Sequence, residues 1–108
     1  MLIEGNDEIR AIMLSPTDNT ATVLESFSAG EEVPVKTDTG YILVKLKDSI
    51  DSGHKLAVQF IPKGGFVLKY GQQIGRAVED IQRGAWVHVH NVESLRGRGD
   101  LAVKGEEK

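Results

Sequence analysis

The sequence contains no cysteine, which excludes disulfides and thiolate metal sites, so any metal would have to be held by His, carboxylates or water. That is compatible with a cytoplasmic protein. No apolar run approaches the roughly 18 residues of a membrane span. The opening stretch MLIEGNDEIRAIML carries acidic residues where a signal peptide needs positive charge. A soluble, unprocessed chain with no membrane partner is expected. An excess of positive charge is lacking too: 13 Lys and Arg stand against 16 Asp and Glu, for a formal net charge of -3. This argues against a nucleic-acid binder whose affinity rests on neutralising phosphates, and the short RGRG at Arg96 to Gly99 does not reverse it. Prolines number 3 and aromatics make up 6% of the chain, against 12 glycines and 40% hydrophobic residues. That mixture describes a loop-rich globular domain and not a disordered one. At 108 residues the chain is one small domain, too small for a core plus an elaborate enclosed active site, so catalysis would need another chain.

What is present is a repeat. An apolar-x-x-Gly-x-x-apolar element occurs as FSAGEEV (Phe27 to Val33), IDSGHKL (Ile50 to Leu56), IPKGGFV (Ile61 to Val67) and IQRGAWV (Ile81 to Val87). Gly tolerates positive φ, so each copy reads as a turn. The apolar residue before the turn anchors a short strand or corner, and the alternation after it (VPV, LAV, VLKY, WVHVH) reads as the next strand. YILVKLK, Tyr41 to Lys47, alternates as a strand after the hairpin turn TDTG. Helix signals are weak, limited to NDEIRAIML and a short helical turn at Ala77 to Gly84. The expected fold is mostly β, short strands joined by Gly corners. Residues 1–10 are expected to form a flexible lead, 11–94 the domain and 95–108 a Gly- and charge-rich tail or linker. The Arg-Gly-Asp within that tail is a coincidence of composition.

The run from Gly53 to Asn91 resembles the small SAF-type N-terminal domain of the altronate/galactarate dehydratase family. The matching motifs are Gly53-His54-Lys55, Lys69-Tyr70-Gly71, Ile74-Gly75-Arg76-Ala77 and His88-Val89-His90-Asn91. PTDNTATVLESFSAGEEV is similar to the family's opening Asp-Asn strand and first Gly corner, with Asp18 and Asn19 in the matching places. The resemblance runs from about Leu14 to Val92, and the order and spacing of the motifs make it specific. It implies a β-clip-like fold of bent hairpins and a part in removing water from a sugar acid, with a divalent metal, usually iron, in the assembled enzyme. The implied partners are a larger catalytic subunit or domain and the sugar-acid substrate, with a homo-oligomer left open. Single-chain members continue into a longer catalytic region, so a separate small subunit or an excised domain is expected here. A similar small subunit belongs to sulfolactate sulfo-lyase, which eliminates sulfite, and other SAF-type domains bind carbohydrate or serve assembly.

Candidate site residues follow. In a strand, His88 and His90 would share one face, about 6 to 7 Å apart, where both could reach one metal or one anion; the alternative is two solvated strand residues. A metal needs a third ligand: His54 is the only other histidine, and the resemblance points to Asp18. His54 and Lys55, after a Gly corner, suit moving a proton and holding a substrate carboxylate. Elimination beside a carboxylate needs a base for the α-proton and positive charge for the enediolate. Lys69 and Tyr70 could supply a carboxylate contact and a hydroxyl donor, with Asn19 beside them as a substrate-binding residue by resemblance. GQQIG, Gly71 to Gly75, lacks the strand-to-helix context of a nucleotide loop. Trp86, Ile61, Ile81, Val67 and Val87 are core candidates.

Overall fold

The computed structural model describes residues 9–94. Their regular structure is entirely strand: β1 (Ala11–Ile12), β2 (Thr20–Val23), β3 (Glu32–Thr37), β4 (Gly40–Lys45), β5 (Lys55–Ala57), β6 (Phe66–Lys69), β7 (Gln72–Ala77), β8 (Trp86–Val87) and β9 (Val92–Ser94). Six strands form one sheet in the order β4-β3-β1-β2-β5-β8, and three form a second in the order β9-β7-β6. All pairings are antiparallel except β1 with β3, where Ile12 faces Lys36.

The fourfold repeat is the organising device. In each copy the central glycine sits at positive φ, at 92° for Gly30, 88° for Gly53, 86° for Gly64 and 90° for Gly84. The residue after it donates its N–H to the carbonyl three residues back, as in a turn of type II. The copies then pair. Phe27 and Ile50 exchange two backbone hydrogen bonds of 2.9 Å, and Ile61 and Ile81 exchange two of 2.8 Å. Each turn glycine also donates to a carbonyl four residues before its partner's anchor: Gly30 to Leu46, Gly53 to Val23, Gly64 to Ala77 and Gly84 to Ala57. Three of the four turns are further capped by the side chain just before the partner's anchor, where Ser49 accepts from Ala29 N, Ser26 from Ser52 N and Asp80 from Lys63 N. The fourth such position holds Phe60, whose side chain is exposed.

Each pair of copies nucleates its own core. Phe27 and Ile50 lie in a cluster with Val23, Val33, Val35, Val44, Leu46 and Leu56. Ile61 and Ile81 lie in a second with Ala57, Val67, Ala77 and Val87. β5 runs between them, its Leu56 in the first and Ala57 in the second.

Several expectations are corrected. Ala77 to Gly84 holds no helical turn, because Ala77 ends β7 and Ile81 is committed to its bridge with Ile61. Within NDEIRAIML, the described residues contain strand β1 and no helix. The strand through WVHVH stops at Val87, since His88 to Asn91 turns to enter β9. Trp86 is half-buried, not a core residue. Of the expected lead, Arg10 is described and makes a two-pronged ion pair with Glu25 at 2.9 and 3.2 Å. Residues 1–8 of the lead and the expected tail, with its Arg-Gly-Asp, lie outside the described residues.

Candidate functional site

Strand register explains why residues far apart in sequence meet. β5 and β8 pair Leu56 with Trp86 and Lys55 with Val87, so the next position along brings His54 beside His88. Their ring centroids are 4.9 Å apart. Trp86 is the hub of the group: its indole stacks on His88 at 5.0 Å and 11°, and packs on His90 at 4.9 Å and on His54 at 5.7 Å. The indole N–H donates to His54 Nδ1 at 3.1 Å. All three histidines of the chain thus surround one tryptophan.

Asn91 holds this arrangement in place. Its buried amide accepts the His88 N–H at 3.0 Å and donates to the Trp86 carbonyl at 2.8 Å, closing the turn that carries His88 and His90. Asp48 accepts the Trp86 backbone N–H at 2.9 Å. His88 and His90 therefore converge through a turn around Trp86 and not by alternation along a strand.

Strand alternation sends Lys55 to the Val87 side of β5, away from Trp86. There it lines an open cleft of about 570 Å³ with Lys69, Tyr70, Gln72, Gln73, Ile74 and Ser94. Among the described residues no carboxylate lines that cleft. A smaller, more apolar pocket of about 240 Å³ adjoins it, sharing Lys55, Ile74 and Ser94, and brings in His88 and Val89. His88 thus touches the imidazole cluster on one side and the Lys55 pocket on the other. Two groups carry the imprint of this crowding. The Lys55 ammonium is held below its ordinary pKa by burial and then by the charge of Lys69. His88 is likewise lowered, by partial burial first and then by His54, Lys55 and His90.

Tyr70 and Gly71 form the two-residue turn between β6 and β7, with φ of 56° and 73°, the left-handed pair of a type I′ hairpin. The Tyr70 side chain is exposed, with the Lys69 ammonium 4.9 Å from its ring centroid. Asp18 is what steadies this turn: its carboxylate, on a residue only 5% exposed, accepts the Tyr70 N–H at 2.9 Å and the Gly71 N–H at 2.7 Å. Asn19 continues the pattern, donating to Phe66 O at 2.9 Å and accepting from Leu68 N at 2.8 Å, and Thr20 donates to Leu68 O at 2.9 Å. Three consecutive side chains act as a surrogate strand edge that fastens β6 to the first sheet. Asp18, expected as a metal ligand, and Asn19, expected as a substrate contact, thus both bond the backbone of the β6 hairpin. His88, His90 and Asp18 are not assembled as a ligand set, and among the described residues no three His, Asp or Glu side chains are grouped to hold a metal ion. Among the described residues the donor set does not fit a closed metal site.

The sequence reading missed Thr20 and the hub role of Trp86. An Asn three residues after His88 is the signal available for the turn, since Asn side chains readily bond backbone groups nearby.

The family model for the altronate/galactarate dehydratase SAF domain matches residues 9–95. The chain belongs to that family. Altronate dehydratase of Escherichia coli (strain K12) is 40% identical to this SAF domain over 83 residues, covering 77% of the chain and 16% of that protein. Galactarate dehydratase (L-threo-forming) of the same organism is 35% identical over 78 residues, 14% of its length. The (2R)-sulfolactate sulfo-lyase subunit alpha of Chromohalobacter salexigens is 37% identical over 81 residues, covering 68% of this chain and 81% of that subunit. The SAF domain thus spans a small part of the dehydratases it matches and most of the sulfo-lyase subunit.

Proposed function

We propose that this SAF domain is the small, substrate-handling part of a hydroxy-acid lyase of the altronate/galactarate dehydratase type, working beside a larger catalytic chain or region. One observation carries the reading: two lysine ammonium groups, Lys55 and Lys69, converge on an open cleft with no carboxylate among its described lining residues, next to three clustered imidazoles. Two like charges facing one polar cleft favour an anion, and the repulsion between them is relieved when the anion arrives. Lys55 and Lys69 hold the substrate carboxylate, with Tyr70 at the rim. His54 and His88 exchange protons or hydrogen bonds with the reacting end, where the α-proton leaves and the enediolate builds. The divalent metal is assigned to the larger chain, since among the described residues no three donors group to hold one.

The sulfo-lyase reading stays alongside it, favoured by the fact that a subunit alpha matches along 81% of its length. A reconstituted pair of this chain and its catalytic partner decides between them by product: a 2-keto-3-deoxy acid from altronate or galactarate, or sulfite from sulfolactate. The chain alone is expected to turn over none of these. Lys55→Met and Lys69→Met should each weaken substrate use by about tenfold or more, as expected when a charge-assisted contact worth about 1.5–3 kcal/mol is removed. Unchanged kinetics in both variants, with association intact, would reduce the domain to an assembly module.

A further inference from the structure

We infer that Trp86 is a positioning residue that locks His54 in the tautomer carrying its proton on Nε2, so that His54 meets a ligand as a hydrogen-bond donor and not as a base. The inference rests on the proposed function for its catalytic meaning, but the tautomer itself follows from geometry alone. An indole N–H only donates. Its partner at 3.1 Å is His54 Nδ1, which must therefore present a lone pair. In the neutral imidazole one nitrogen is protonated and the other is not, so the proton resides on Nε2. Charging His54 would place a second proton on Nδ1 and expel the indole bond.

The indole is in no position to yield. Its backbone is pinned on both sides, the N–H by Asp48 and the carbonyl by Asn91, and its ring is stacked on His88 and packed on His90. The strand pairing of Leu56 with Trp86 sets the diagonal that puts the indole nitrogen opposite His54. His88, whose ring lies 4.9 Å from that of His54, is then the imidazole that offers a lone pair. His88 is crowded by His54, Lys55 and His90 and resists taking a proton, which keeps it neutral with a lone pair available near pH 7. Two adjacent imidazoles are thereby divided into a donor and an acceptor by their surroundings.

The test is a long-range 1H–15N spectrum of the full 108-residue chain, at a pH high enough for the imidazoles to be neutral. His54 should show an unprotonated Nδ1 and a protonated Nε2, and Trp86→Phe, which keeps a ring in the stack, should lose that preference. A His54 protonated on Nδ1 in the unaltered protein overturns the inference, as does a Trp86→Phe variant with the same tautomer. If Trp86→Phe does not fold, the spectrum of the unaltered chain decides. In the reconstituted enzyme, His54→Gln places an amide N–H near the Nε2 position and should stay within about tenfold of full activity, whereas His54→Ala should lose about 100-fold or more. Equal losses in the two overturn the donor role even where the tautomer stands. Full activity in both would sink the proposed function of His54 and leave the tautomer assignment untouched, so the two failures are told apart.

Discussion

His88 is where the chemistry of single residues is most exposed to measurement. It titrates below its ordinary value of 6.5 because partial burial and the charges of His54, Lys55 and His90 oppose its protonation. In the unfolded chain that opposition is gone. As pH falls through about 6.5 the unfolded state takes up a proton that the folded state resists, so folding stability declines. The decline from this group ends once the pH is below the folded-state value. Urea unfolding followed across that window should show the slope, and His88→Gln should flatten it. A bound anion neutralises the Lys55 and Lys69 field, so galactarate or sulfolactate in the cleft should raise the His88 titration point in an NMR titration. A titration point that falls or stays fixed on anion binding would contradict the placement of the anion beside Lys55.

At the scale of elements, the second hairpin depends on a residue outside it. Asp18 supplies both acceptors for the left-handed Tyr70-Gly71 turn, and Tyr70 is, among the described residues, the one non-glycine at positive φ, a conformation that persists only when its surroundings fix it. Asp18→Ala should cost about 3–6 kcal/mol in urea denaturation, the range for two charge-assisted bonds lost from backbone donors. Amide shifts of Lys69 to Gln72 should move with it. The glycine corners are not equivalent in this respect. A methyl at Gly53 meets nothing within 4 Å, so Gly53→Ala should cost only the strain of an L residue held at positive φ, about 1–2 kcal/mol. A methyl at Gly84 runs into the Lys45 carbonyl oxygen, and Gly84→Ala should cost about 3 kcal/mol or more.

The four Gly corners were legible in the sequence because a left-handed turn leaves few choices besides Gly. The pairing of copies was not, since the carbonyls that the glycines seek belong to Val23, Leu46, Ala57 and Ala77, residues with no common side chain. The apparent helical spacing of Ala77 and Ile81 arose from two buried positions of a strand end and a bridge. WVHVHN alternates like a strand, yet the Asn91 side chain takes the His88 N–H that a neighbouring strand would have used. Site residues were legible by type: His54, Lys55, Lys69, His88 and His90 do gather. Trp86, around which the three histidines gather, was masked by the general tendency of tryptophan to be buried.

Across the whole molecule, the paired repeats give two small cores that share β5. Neither core is large, and Leu56 and Ala57 are adjacent residues serving different ones, so one cannot lose its packing without pulling the strand that belongs to the other. The Asp18 to Thr20 edge adds a second seam by bonding β6 to β2. The two halves should therefore unfold together. Ile50→Ala opens a cavity in the first core and Ile81→Ala in the second, and each should cost about 2–5 kcal/mol. For a domain of this size that lowers the melting temperature by about 10 °C or more. Trp86, the only tryptophan, packs against the first core while its strand neighbour Val87 lies in the second, so its fluorescence watches the seam. In both variants the fluorescence transition should coincide with that seen by far-ultraviolet circular dichroism. Two separated transitions in Ile81→Ala, with the β-sheet signal of the first core surviving the loss of the Trp86 signal, would mean that the site rests on an independently melting half.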